Sequence, residues 1–135
     1  MCQLEFFVCV WSLKPLEAHT SMLLKSILST FSDVPDQRLA VFALLALGIL
    51  ESLANGLLSA NEALRVFFHT ENCFFVRKEL RHKVADAIMG HGVQLPDLFA
   101  VLPTEEAHQE FQRELATMRT LCLKLIEEHQ LATHV

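Results

Sequence analysis

Residues Leu39 to Leu50 read LAVFALLALGIL, twelve positions without one polar side chain, with Arg38 before them and Glu51 after them. A membrane-spanning helix needs about 20 apolar residues, so a run of twelve closed by a charge at each end matches the central helix of a water-soluble core. Glu51 near the centre of a bilayer would cost about 3 kcal/mol, and Asn55 would add to it. The same segment carries Gly48, Ser52 and Gly56 four residues apart, a smooth stripe on which a second backbone can approach closely. Two placements follow for Glu51. It sits at the polar corner of a bundle helix, in water, or the stripe meets its own copy across a twofold axis with Glu51 or Asn55 paired at the rim.

Punctuation on either side of this run divides the chain into helices. Pro15 suits the first turn of a helix through LEAHTSMLLKSILSTF, and SDVPD then forms a turn with Ser32 or Asp33 as the next N-cap. The second helix is expected over Pro35 to Ala54, closed by Asn55-Gly56 in a left-handed turn. Ser59-Ala-Asn-Glu62 is a capping box, in which hydroxyl and carboxylate each satisfy a backbone amide of the other, and it opens a third helix. A break is expected at HTEN, residues 69–72. A fourth helix then follows through FFVRKELRHKVADAIM, with Val76, Leu80, Val84 and Ile88 on one face, to an end at Gly90 and Gly92. LPDLFAVLP reads as one short turn of helix between prolines. Thr104 caps a last helix reaching toward Gln130, whose Phe111, Leu115, Met118, Cys122 and Leu125 alternate by four and three. At 1.5 Å per residue it is about 40 Å long, more than so small a domain spans, so part of it is expected to pack on another chain.

The resulting expectation is one all-α domain over residues 1–135, a compact bundle of four to five helices with short turns and a long C-terminal helix. Residues 1–14, MCQLEFFVCVWSLK, form an N-terminal arm or short strand. They lack the basic start and small-residue cleavage site of a secretory signal. The four cysteines, Cys2, Cys9, Cys73 and Cys122, show neither a CxxC pair nor zinc-ligand spacing, and they read as free thiols of a reducing cytoplasm. Composition adds one fact of use. Apolar residues are 52% of the chain, above the ordinary globular share of about 45–50%, so apolar surface is left over for a partner. A net charge of −5 opposes nonspecific binding to nucleic acid and does nothing to favour an anionic membrane.

Two Glu-x-x-His pairs, Glu79 with His82 and Glu105 with His108, place a carboxylate and an imidazole on one helix face, as carboxylate-bridged metal bundles do. With twelve Glu and seven His in the chain such pairs arise by chance. Glu105 with Glu106 is also explained by a helix N-terminus, which favours negative charge. No metal and no cofactor is therefore assigned. Arg77, Lys78, Arg81 and Lys83 form a basic face on the fourth helix, the best candidate for meeting an anionic partner, with Phe74 and Phe75 upstream read as core. His69 and Cys73, four apart, are the nearest approach to a nucleophile and base. No glycine-rich phosphate loop, G-x-S-x-G or H-E-x-x-H occurs, so no catalytic residue is assigned. The reading that follows is a cytoplasmic protein–protein interaction or regulatory module that self-associates and acts by recognition rather than catalysis. Its alternatives are a metal-binding carboxylate/histidine bundle and a nucleic-acid binder through the basic face. The sequence leaves a small-molecule ligand open.

Overall fold

The computed structural model describes residues 21–129, and the expected arm at 1–14, with Cys2, Cys9 and the first turns of the helix predicted from Pro15, lies outside them. The described chain is all-α, without strands, and holds six helices where four to five were expected. They are α1 (Leu24–Phe31), α2 (Pro35–Ala54), α3 (Ala60–Val66), α4 (Thr70–Phe75), α5 (Lys83–Val101) and α6 (Thr104–Glu128), with a π-helical turn over Val76–Leu80 continuing α4.

The extra helix comes from a break that sequence rules do not foresee. Arg81 takes the left-handed conformation at φ 50°, which costs a residue with a Cβ about 1 kcal/mol, and its N–H donates to Val76 O at 3.0 Å to close the π turn. His82 is then extended, and its Nδ1 accepts the Val84 N–H at 3.2 Å, so an imidazole opens α5 as its N-cap. Only a ring without a proton on Nδ1 can do this. Burial lowers the His82 pKa, His129 lowers it further, Glu128 opposes and Lys124 adds to the lowering, so the capping form is favoured.

The predicted stop at Gly90 and Gly92 is also corrected, because α5 runs through both and through Pro96. Gly92 is there for packing. A Cβ at that position would lie 2.2 to 2.4 Å from ring atoms of Phe68, so the helix passes under the ring only because the side chain is missing. Pro96 has no N–H to give the Gly92 carbonyl, and α5 continues past that missing bond.

α2 and α6 lie antiparallel, tied by Glu51–Arg119 at 3.2 Å near one end and Asp36–His129 at 3.0 Å near the other. Between them and α5 sits the core of Phe42, Phe67, Phe68, Met89, Met118 and Leu125, with Phe42 stacked on Phe67 and Phe68 edge-on to Phe67. All five α6 positions picked out by their spacing are buried. Glu51 therefore stands in water at the outer edge of α2, bridged to the neighbouring helix, and such a half-exposed pair contributes less than about 1 kcal/mol.

Helix ends are partly as expected. Ser59 and Glu62 form the capping box, with both bonds made. Gly56, at φ 73°, turns the chain out of α2, while Leu57 N–H reaches back to Ser52 O and Gly56 N–H to Leu53 O. The α2 cap position is held by Val34 rather than Ser32 or Asp33; the Ser32 hydroxyl instead accepts the Val34 N–H and donates to Gln37. Pro103, not Thr104, occupies the cap of α6, where Glu105 and Glu106 supply the favourable negative charge instead.

Asn72 is the one polar residue of the described chain that is fully buried. Its Oδ1 accepts the Leu24 N–H at 2.9 Å, and its Nδ2 donates to Phe67 O at 2.8 Å and to Met22 O at 2.9 Å. One side chain thus fixes where α1 starts, relative to the α3–α4 junction.

Candidate functional site

Among the described residues, a cleft of about 740 Å³ lies between the α3–α4 segment and α5. Phe68, Met89 and Gly90 line it together with the polar residues Arg65, Thr70 and Gln94. Arg77 approaches Asp86 across it at 3.6 Å. Gly90 leaves the space open, since nothing stands within 4 Å of where its Cβ would be.

His69 and Cys73 both face this cleft, yet neither is set up for catalysis. His69 Nε2 donates to Met22 O at 2.9 Å, and its Nδ1 accepts the Asn72 N–H at 3.4 Å, so both ring nitrogens serve the backbone as a neutral imidazole. It is the N-cap of α4. Cys73 donates its S–H to Phe68 O at 3.6 Å. Burial raises the Cys73 pKa above the ordinary thiol value; Arg77 works against that rise and Asp86 with it, so the reactive thiolate is disfavoured.

Comparison with protein-family models, curated proteins and solved structures finds no match to this chain. Its own geometry is therefore what bears on function.

The basic residues do not share one helical face. Arg77 and Lys78 sit on the π turn, Arg81 is the left-handed break, and Lys83 opens α5. Arg77 leans toward Asp86, Lys78 lies over the Phe74 ring at 4.9 Å, and Arg81 Nε donates to Lys78 O. Phe75 is core as expected, but Phe74 is exposed and forms the platform under Lys78. The Glu-x-x-His pairs are not assembled into a common site. Glu79 and His82 fall on opposite sides of the Arg81 break, and His108 packs against the Phe99 ring rather than joining a ligand group.

The small-residue stripe Gly48, Ser52 and Gly56 runs along the second half of α2 and into the turn after it. Gly56 serves the turn at the end of α2, and Ser52 bonds its own helix at Gly48 O. Gly48 is left exposed, with nothing within 4 Å of where a Cβ would stand.

Of the two cysteines described, both free thiols, Cys122 is the more withdrawn: burial pushes its pKa up to about 12. In the native protein at pH 8, iodoacetamide followed by mass mapping is expected to mark Cys73 slowly and to leave Cys122 unmodified until denaturant is added. Equal rates at the two positions would show that α6 does not seal as described.

Proposed function

We propose that the protein is a recognition module that pairs with a second copy of itself through the exposed face where α2 and α6 meet. The observation that carries this reading is α2 itself. It is long and apolar enough to cross a membrane by length and composition, and the fold buries only half of it. Leu44 and Gly48 lie on its open side with Glu51, seven residues beyond Leu44, and Glu51 meets Arg119. Leu123, one turn past Arg119 on α6, is 47% exposed, and Leu44 is 43% exposed. Those spacings put all of them on one side of the α2–α6 groove.

A face two helices wide and about 30 Å long is of the order of the ~800 Å² each partner gives to a stable interface. It is also self-complementary in charge. A twofold axis through it can set Glu51 of one copy against Arg119 of the other, around the two leucines. Arg77, Lys78, Arg81 and Lys83 belong to a separate surface, available to an anionic partner of the assembled dimer.

Sedimentation equilibrium of the full chain is expected to give twice 15.3 kDa at micromolar concentration. Leu44→Glu is expected to yield monomer with little change in Tm, since that side chain is not core. A wild-type monomer at about 0.1 mM, or a particle that leaves the membrane fraction only with detergent, overturns the reading.

A further inference from the structure

His82, stranded from Glu79 by the Arg81 break, meets a different set of groups. Ligand atoms of His82, Glu128 and His129 lie within 4.8 Å of one another, brought together from the α4–α5 junction and the end of α6. The two imidazoles are edge-on, with centroids 5.2 Å apart. His129 is mostly buried, and its Nδ1 is 3.0 Å from Asp36 Oδ1 in the first turn of α2. An Nδ1–H donated to that carboxylate leaves the Nε2 lone pair free, the arrangement in which a carboxylate orients a metal-binding histidine.

We propose that His82, Glu128 and His129 form a binding site for a divalent transition metal of the zinc class, with Asp36 as the group that orients His129. Two imidazole nitrogens and one carboxylate oxygen are a donor set that zinc accepts, with water completing a tetrahedron. His82 Nδ1 caps α5 by accepting the Val84 N–H, so the His82 proton resides on Nε2 before binding. When Nε2 takes the metal, that proton moves through solvent to Nδ1 and the Val84 N–H loses its acceptor. The ring stays neutral and no proton is gained or lost by it. Glu128 is exposed and brings the one negative charge to the ion. The site joins the start of α2, the start of α5 and the end of α6, so an ion there clamps three helices.

The test is a zinc titration of the full chain under reducing conditions, in competition with a chromophoric chelator. One ion per chain is expected, together with a rise in Tm and a shift of the Val84 amide resonance. His129→Ala and His82→Asn are each expected to weaken binding at least about 100-fold, and Asp36→Asn about 10-fold. Asparagine is itself a good N-cap, so His82→Asn removes the ligand while keeping α5 capped and folded. Cobalt in place of zinc is expected to show no thiolate charge-transfer band. Three results would overturn the site: no binding tighter than about 0.1 mM, affinity unchanged in both histidine variants, or a thiolate band assigning the ion to cysteine.

Discussion

Asn72→Leu is expected to destabilise the protein by about 4 kcal/mol in chemical denaturation, the largest effect foreseen for a single substitution here. Leucine keeps the branched heavy-atom skeleton of asparagine and is somewhat larger, so no cavity opens and the main loss is one of hydrogen bonding. The Leu24 N–H and the Phe67 carbonyl are both left without the partner that Asn72 supplies, and each orphaned buried group costs about 1–3 kcal/mol. Met22 O keeps His69 Nε2 and is less affected. The damage should be local before it is global. Hydrogen exchange of the α1 amides is expected to quicken more than that of α6, because Asn72 holds the start of α1 from across the fold. A loss below about 1 kcal/mol, with α1 exchange unchanged, would show that α1 is held by its apolar face alone.

Two glycines in α5, two residues apart, are expected to respond to alanine with opposite signs. Gly92→Ala drives a methyl into the Phe68 ring, which cannot step aside because it is wholly buried and packed edge-on to Phe67. Overpacking of this kind outweighs the gain in helix propensity, for a net loss of about 2 kcal/mol. Gly90→Ala meets nothing within 4 Å and keeps the propensity gain, so it is expected to stabilise by about 0.5–1 kcal/mol. The cause is separable. In a Phe68→Leu background the penalty of Gly92→Ala should largely vanish, and thermal or urea melts of the double-mutant cycle measure it. A Gly92 penalty that persists without the ring would place its origin in the backbone.

What the sequence made legible was whatever depends on near neighbours. The apolar run gave α2, the Ser59 and Glu62 pair gave the start of α3, Asn55-Gly56 gave the turn, and alternation by four and three gave the buried face of α6. Each involves contacts within a few residues or a period along one helix. The failures have a common physical source in distance. Gly90 and Gly92 look like a helix stop, but Gly92 answers to Phe68, 24 positions earlier, and nothing local distinguishes the two uses of glycine. His69 and His82 cap helices although the usual capping residues are Ser, Thr, Asp and Asn, and an imidazole can do so only where it is held in one tautomer. The histidine-carboxylate cluster was invisible for the same reason. Its members, His82 and the pair Glu128–His129, are separated by most of α5 and α6, while the pairs that did have helical spacing did not converge.

The π turn between Phe75 and Arg81 has a geometric meaning of its own. A helix that closes its bonds five residues apart holds one residue more than an α-helix would over the same rise, so Val76–Leu80 carries a surplus amino acid inside an element rather than in a loop. Each residue in a helix turns the chain by about 100°, and that surplus therefore sets the bearing of everything that leaves it. Shortened by one residue, the segment would point His82 away from the end of α6, and the two would no longer be neighbours.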